Sequence, residues 1–390
     1  MAKNIIFCAD GTWNGPNEDE NKDGVPDRTN VLKLFMNLGG NYTVGNLTTD
    51  EQEKELTNGS GQPVQVAKYL HGVGNSDNFL VKLLGGAFGS GVISRIVRGY
   101  TFLSRNYQDG DNLYIIGFSR GAYTARALAG LVAAKGLMKL DGVSRDDAYQ
   151  MGVAVWHQYR SNVLPKLSLW DRLAEELSEW KGILSHKPPG MVYPVTIQAV
   201  GVWDTVGALG IPDYKDGQAV DQFRFVDNAL SPKVINGFHF VSVDEQREAF
   251  TPSLWDPREG VVQILCPGGH SDVGGGFPLA ESGLSDGPLA TLTRLLAAVG
   301  VQFATPQAVV PAPNPIGIGH ASWLDKPWNL MPTALRTLPD GYLVHVSIQD
   351  RLGKTVQADS SLPAVPYAPA NLAAYLDNTG GLKGSVQIAP

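Results

Sequence analysis

The sequence predicts an α/β fold in which a mainly parallel β-sheet is covered by helices on both faces. Short apolar runs with the length of buried strands alternate with segments of helical periodicity. Several of these runs end in turns that carry aspartate or glycine. The chain has 390 residues, of which 43% are hydrophobic, so it can bury a large core.

The predicted elements follow in order along the chain. Strands are expected at residues 4–9, 113–116, 195–203, 238–243, 261–265 and 342–348, and helices at residues 92–107, 122–135 and 289–299. We predict a single domain over residues 1–390, with a helical insertion or lid at 142–194 and a C-terminal extension packed on the core at 301–390. The aromatic residues of the insertion either touch lipid or pack it onto the core.

Composition excludes some functions and locations. The net charge is −7, which provides no electrostatic footprint for nucleic acid. Both cysteines, Cys8 and Cys266, lie in apolar runs, so buried thiols are expected rather than a disulfide framework. The first apolar run stops at Asp10, too early for a secretory signal, and no run is long enough to span a membrane. We therefore expect cytoplasmic synthesis, with any export following a signal-independent route.

The strongest motif is Gly117-Phe118-Ser119-Arg120-Gly121, which lies between a predicted strand and a predicted helix. This is the context of a nucleophile elbow, where a strained serine requires small neighbours. The start of the helix would direct backbone N–H groups towards the site, which favours a developing oxyanion. The alternative is a strand-to-helix turn in which Ser119 only caps the helix. The motif predicts an α/β-hydrolase-like fold with Ser119 as nucleophile.

A serine nucleophile needs a base and a carboxylate that orients it, and in this fold class they follow in the order serine, acid, histidine. Asp204 comes directly after the predicted strand 195–203, and His270 follows the strand 261–265 between two glycine-rich turns. Both lie where carboxyl ends of strands are expected, which is where open α/β sheets bind ligands. The other histidines in this part of the chain, His239, His320 and His345, are expected to be structural.

An oxyanion hole is expected from two segments. The backbone N–H of Arg120 would provide one half, and the loop after the first strand, at Gly11 or Thr12, would provide the other.

Several stretches together resemble the catalytic domain of the type VI secretion lipase effectors, an α/β-hydrolase family of bacteria and fungi. They include Phe7-Cys8-Ala9-Asp10-Gly11-Thr12, His71-Gly72-Val73-Gly74, the elbow, Gly201-Val202-Trp203-Asp204-Thr205, Val243-Asp244-Glu245-Gln246-Arg247 and Pro267-Gly268-Gly269-His270-Ser271-Asp272. The resemblance implies a triad of Ser119, Asp204 and His270 and ester hydrolysis of phospholipids. It also implies contact with a membrane surface and a secretion or immunity partner.

The sequence is also compatible with other functions. The same site could act as a general carboxylesterase on soluble esters. Asp10-Gly11-Thr12 could belong to a phosphohydrolase with Asp10 as nucleophile, although Cys8 stands where such enzymes carry a second carboxylate. A non-catalytic binding module is the third alternative. No cofactor is expected for catalysis.

The loop after the first strand contains a pattern typical of a calcium site. Oxygen ligands would come from Asp19, Asn21, Asp23, the Val25 carbonyl and Asp27, with Gly24 at the sharp turn. The glutamate that usually completes such a loop is replaced by Asn30. The sequence thus predicts a structural calcium beside the proposed oxyanion hole, or alternatively an acidic surface turn.

Overall fold

The computed structural model describes residues 2–11, 24–72, 88–163, 190–207, 213–215, 218–220, 228–381 and 387–388. The strands are, in chain order, β1 (Asn4–Ala9), β2 (Asn41–Val44), β3 (Glu51–Thr57), β4 (Pro63–Leu70), β5 (Asn112–Phe118), β6 (Leu137–Met138), β7 (Met191–Val192), β8 (Ile197–Trp203), β9 (Asp213–Lys215), β10 (Gln218–Val220), β11 (Val234–Ser242), β12 (Val261–Cys266), β13 (Leu343–His345), β14 (Thr355–Val356), β15 (Val365–Pro366) and β16 (Gln387–Ile388).

The helices are α1 (Asn30–Asn37), α2 (Phe88–Asn106), α3 (Ser119–Lys135), α4 (Arg145–Val163), α5 (His270–Gly274), α6 (Gly283–Ala298), α7 (Val346–Arg351) and α8 (Ala370–Asn378). Short 3-10 helices cover Glu248–Phe250, Leu279–Glu281, Ser322–Leu324 and Trp328–Leu330. No helix in the described ranges combines the length and apolar composition that a membrane span requires.

One large sheet organises the described part of the chain. Its ten strands follow the order β16-β13-β12-β11-β8-β5-β1-β4-β3-β2. In this spatial order, all neighbouring strands between β16 and β4 pair in parallel, while β3 and β2 are added antiparallel at one edge. The predicted mainly parallel α/β class is confirmed.

The alternation of side chains along β1 explains the layers. Ile5 and Phe7 face a core formed with α2, α3 and α4, while Ile6 and Cys8 face a second core formed with α1 and α6. All six residues of β1 are buried, as expected for a central parallel strand that is covered on both faces. A third apolar cluster joins the far edge of the sheet to α7 and α8.

Several elements differ from the sequence analysis, which predicted neither strand β4, the neighbour of β1, nor helix α1. The hairpin strands β2 and β3 were not predicted, because β3 is polar and its buried positions include Gln52 and Lys54. The ammonium group of Lys54 donates to the carbonyl of Met36 (3.0 Å) at the end of α1, which accounts for its burial. The predicted strand 342–348 is wrong beyond His345, since α7 begins at Val346.

The proposed insertion and C-terminal extension are partly visible. Helix α4 occupies the start of the insertion and buries Trp156 and Tyr159 against the core, whereas residues 164–189 lie outside the described residues. From the C-terminal part, β13 and β16 join the main sheet, and α8 buries Leu372 and Tyr375. The boundaries of these units stay predictions.

The parallel strands bring four polar residues to the side of the sheet where the strands have their carboxyl ends: Asp10, Ser119, Asp204 and His270. In the register, Ala9 lies opposite Gly117 and Phe118 lies opposite Trp203. Consequently Asp10, Ser119 and Asp204, the residues that follow these strand ends, emerge side by side. His270 begins α5 a few residues after β12 and lies at the same carboxyl ends of the strands.

Candidate active site

The elbow geometry follows from steric demands on five consecutive residues, 117–121, from within the turn and from the end of β1. Ser119 has a φ of 56°, an unusual left-handed conformation for a residue other than glycine. A Cβ atom on Gly117 would lie 2.4 Å from the carbonyl oxygen of Gly121. A Cβ atom on Gly121 would lie 2.1 Å from the carbonyl oxygen of Ala9. The two glycines therefore allow the tight turn and the close approach of α3 to the end of β1.

Ser119, His270 and Asp204 form a continuous hydrogen-bonded relay. The Oγ atom of Ser119 lies 2.8 Å from Nε2 of His270, and Nδ1 of His270 lies 2.6 Å from Oδ2 of Asp204. Exposed fractions are only 6% for Ser119, 5% for His270 and zero for Asp204. The structure thus brings together the three residues that the sequence analysis selected, in the order that nucleophilic catalysis requires.

The charges in this relay match a neutral base beside an ionised acid. Burial favours the neutral imidazole and lowers the pKa of His270 below its ordinary value, although the Asp204 carboxylate opposes this effect. Burial alone would raise the pKa of Asp204, but the charge of Arg336 and the hydrogen bonds from His270 and Arg336 hold it well below its usual range. His270 can accordingly accept a proton at neutral pH while Asp204 remains charged.

Asp204 is held by groups that the sequence analysis did not identify. The backbone N–H of Ser242 donates to Oδ1 of Asp204 (2.9 Å). The guanidinium of Arg336 donates to both oxygens, with 2.6 Å from one nitrogen to Oδ1 and 2.9 Å from the other to Oδ2. Asp204 also has a positive φ of 36°, so its backbone conformation is unusual as well.

His270 is fixed by a buried ion pair and by two aromatic rings. Glu245 accepts the backbone N–H of His270 (3.1 Å) and also pairs with the guanidinium of Arg247 (2.8 Å). The His270 ring packs between Phe118 and Phe250, whose ring centroids lie 4.7 and 4.9 Å away. Glu245 and Arg247 stand in one of the stretches that resemble the lipase effectors, and this was the signal that could have revealed them.

The glycine-rich turn before His270 is tied down from its other side. Asp272 accepts the backbone N–H of Gly269 (2.8 Å) and a bond from His320 Nδ1 (2.6 Å), as expected for a residue that holds this loop. His320 in turn contacts Glu281 through Nε2 (2.9 Å) and stacks on Phe277. This clamp keeps the start of α5 in place.

The other histidines have structural partners. His239 accepts the backbone N–H of Thr205 (3.2 Å), and burial lowers the pKa of His239 to about 3. His345 contacts the Thr291 hydroxyl (2.9 Å), and burial lowers its pKa to about 4. Neither bonds to Ser119, which agrees with the choice of His270.

The predicted oxyanion hole is only partly described. The N–H of Arg120 lies in the first turn of α3, at the end of the helix where the amide dipoles favour negative charge. The N–H of Gly11 donates instead to Oδ1 of Asp10 (2.7 Å), so it already has an acceptor. Thr12 lies outside the described residues.

Asp10 itself has a structural environment. Its Oδ2 atom accepts hydrogen bonds from the hydroxyls of Thr29 and Tyr69, both at 2.7 Å, and its backbone carbonyl accepts one from Arg95 (2.7 Å). Burial raises the pKa of Asp10 to about 6. With its oxygens engaged and its side chain buried, Asp10 is poorly placed to act as a phosphohydrolase nucleophile.

The predicted calcium loop lies mostly outside the described part of the chain. This applies to Asp19, Asn21 and Asp23, whereas Val25 is exposed and Asp27 is buried. Among the described residues, no three His, Cys, Asp or Glu side chains converge as metal ligands. A structural calcium at this loop stays a prediction.

Comparison with known proteins finds a family whose model matches most of this chain. Residues 3–294 match the family described as the type VI secretion system phospholipase effector Tle1-like catalytic domain. An uncharacterised protein of Saccharomyces cerevisiae is 27% identical over 277 residues, which is 67% of this chain and 34% of the yeast protein.

Two solved structures are also similar. An uncharacterised protein from Pseudomonas aeruginosa aligns over 80% of this chain and 48% of its own, with 19% identity and a TM-score of 0.40. The Tle1 effector bound to the VgrG spike of the type VI secretion system aligns over 73% of this chain and 53% of its own, with 17% identity and a TM-score of 0.37. The chain therefore spans about a third of the curated relative and about half of each of these structures.

Proposed function

The chain belongs to the family of type VI secretion phospholipase effector Tle1-like catalytic domains, and on this premise we propose that it hydrolyses carboxylic ester bonds of phospholipids with Ser119 as nucleophile. The observation that carries the proposal is the relay of 2.8 and 2.6 Å from the strained Ser119 through His270 to Asp204. Family membership supplies the substrate class, and the relay supplies the chemistry.

The proposed mechanism has two stages. His270 Nε2 takes the proton of the Ser119 hydroxyl as Oγ attacks the ester carbonyl, and Asp204 stabilises the imidazolium through Nδ1. The alcohol then leaves with the proton from Nε2, which leaves an acyl group on Ser119. In the second stage His270 activates water, which attacks the acyl group, releases the fatty acid and restores the hydroxyl.

Charge on the tetrahedral oxygen needs donors at the start of α3. The N–H of Arg120 is the proposed donor there, and the amide dipoles of the helix favour negative charge at this end. The second donor is proposed at Thr12, since the Gly11 N–H is engaged by Asp10.

Apolar residues beside the site support action at a lipid surface. Leu330 is 81% exposed and Leu335 is 52% exposed, in the segment that carries Trp328. The Trp328 ring contacts Phe250, which in turn contacts His270, so this segment lies close to the relay. Exposed apolar side chains next to a lipase site suit contact with a membrane surface. We further propose, from the family alone, export through the type VI secretion system with a secretion partner.

A lipid panel tests this function. The purified protein would be incubated with vesicles of phosphatidylethanolamine or phosphatidylglycerol and, separately, with a soluble p-nitrophenyl ester, and released fatty acid or phenol would be measured. We expect release from vesicles that falls roughly 1,000-fold or more in Ser119→Ala and is unchanged in the surface control Ser60→Ala. Activity on the soluble ester alone would indicate a general carboxylesterase, and activity that survives Ser119→Ala would refute the mechanism.

A further inference from the structure

We propose that Arg336 is a positioning residue for ester hydrolysis. It holds the Asp204 carboxylate in the orientation that accepts the hydrogen bond from His270, although it lies outside the residues that match the family. This inference rests on the proposed function of the Ser119 site. The family match ends at residue 294, so Arg336 belongs to the part of the chain that follows it. Arg336 acts through Asp204 and touches neither Ser119 nor His270 in the hydrogen bonds of the structure.

The guanidinium of Arg336 is built into the site by four hydrogen bonds. Two go to the oxygens of Asp204, at 2.6 and 2.9 Å, and two go to the backbone carbonyls of Ser242 (2.8 Å) and Phe250 (2.7 Å). The planar fork of an arginine matches a carboxylate in this bidentate way, and a lysine cannot reproduce it. Because Oδ2 also accepts from His270, the fork determines the rotation of the carboxylate that faces the imidazole.

The chain around Arg336 is attached to the loop that also supports His270. The N–H of Ala334 donates to the carbonyl of Gln246 (2.8 Å), and the Asn371 side chain joins the carbonyls of Arg336 (3.2 Å) and Val243 (2.9 Å). Glu245, which holds the backbone of His270, lies in the same loop. One loop therefore couples the positions of the acid and the base.

The charge of Arg336 has a chemical consequence for the base. Asp204 has no exposed surface, and a lone buried carboxylate would attract a proton to His270 strongly. The charged groups that face His270 are Asp204, Glu245 with its partner Arg247, and Arg336 behind Asp204. With both carboxylates paired to arginines, the imidazole keeps its neutral, proton-accepting form at lower pH than it would beside an unpaired Asp204.

Variants at this position separate positioning from folding. Arg336→Gln removes the charge and the fork, Arg336→Lys keeps the charge only, and Arg351→Gln is the control, because Arg351 is also buried but donates to the carbonyls of Pro315 and Gly317. The readouts are kcat/KM for a soluble p-nitrophenyl ester between pH 5 and pH 9 and the titration of the His270 ring followed by NMR.

We expect Arg336→Gln to lower kcat/KM roughly 10- to 100-fold, as expected for a displaced catalytic group. In Arg336→Gln, the acid limb of the pH profile of kcat/KM and the midpoint of the His270 titration should both move to higher pH, by about one unit. Arg336→Lys should also lower kcat/KM, because the fork is lost, but the acid limb of its pH profile should change little, because the charge is kept. If Arg336→Gln folds and shows the kcat/KM and the His270 titration of the wild type, the proposal is overturned. If Arg336→Gln does not fold, full activity in Arg336→Lys would overturn it.

The NMR titration also distinguishes this inference from the proposed function. If the wild-type protein hydrolyses no ester but His270 still titrates higher in Arg336→Gln, the proposed function fails while the coupling stands. If the ester is hydrolysed and the titration of Arg336→Gln follows that of Arg351→Gln, the inference about Arg336 fails alone.

Discussion

The two sides of the site are built in different ways. The side that carries Ser119 is mostly local: Gly117, Ser119 and Gly121 lie within five consecutive residues, and Gly121 also packs against the carbonyls of Ala9 and Asp10. The acid–base side is assembled from distant segments, since Asp204 and Arg336 lie 132 positions apart and His270 lies 151 positions from Ser119. Steric demands therefore shape the elbow that carries Ser119, while charge pairing between remote parts of the chain fixes Asp204 and His270.

The acid–base side should be the most sensitive to a single change of charge. Asp204→Asn keeps the shape of the side chain but removes the charge that orients His270, so we expect kcat to fall about 10⁴-fold. The buried Arg336 would also lose its charged partner, which should lower the free energy of unfolding by about 3 kcal/mol. Ester hydrolysis and urea unfolding measure the two effects. Asp286→Asn is the control, as Asp286 is a buried aspartate that pairs with the buried Lys33 (2.9 Å) and makes no hydrogen bond to the relay. Hydrolysis within tenfold of wild type would contradict the assignment.

The elbow side should respond to added volume. In Gly121→Ala the new methyl group would overlap the carbonyls of Ala9 and Asp10, so α3 or β1 must move. We expect a loss of about 3 kcal/mol in the free energy of unfolding, with a parallel loss of activity because Ser119 moves with the helix. Gly59→Ala is the matched control, since nothing lies within 4 Å of the added atom. Equal unfolding curves for the two variants would show that the elbow tolerates this atom.

The smallest effect is expected at the clamp of His320 behind the base. Burial would lower the pKa of His320, but Asp272 and Glu281 raise it above its ordinary value. The protonated clamp therefore contributes stability below the unfolded pKa of about 6.5, and this contribution is lost as the pH rises through the folded pKa. His320→Gln should accordingly lower the free energy of unfolding, measured by urea denaturation, more at pH 5.5 than at pH 8.5, with a difference on the order of 1 kcal/mol.

His345 provides the opposite case for the same measurement. Burial lowers the pKa of His345 to about 4, so the native protein holds it neutral while the unfolded chain binds a proton below about pH 6.5. His345→Gln should then lower the free energy of unfolding less at pH 5.5 than at pH 8.5. The same pH trend in both variants would contradict the clamp.

The sequence predicted this molecule unevenly, for physical reasons. The apolar run at residues 4–9 and the helix after the elbow are strong local signals, and both appear in the structure. Asp204 and His270 could be selected because carboxyl ends of parallel strands meet at one edge of the sheet. Arg336 gave no signal, because it lies in an irregular segment and its partner is fixed only by the tertiary fold. Strand β3 was missed because its buried positions are polar, which hides the apolar alternation of a strand.

Covalent labelling can identify the reactive serine without any assumption about the substrate. The folded protein would be treated with a fluorophosphonate, which reacts with activated serines, and the modified peptide would be identified by mass spectrometry. We expect one adduct, on Ser119, that is absent in Ser119→Ala and forms much more slowly in Asp204→Asn. An adduct on another residue, or a folded wild-type protein that stays unlabelled, would contradict the assignment of Ser119 as nucleophile.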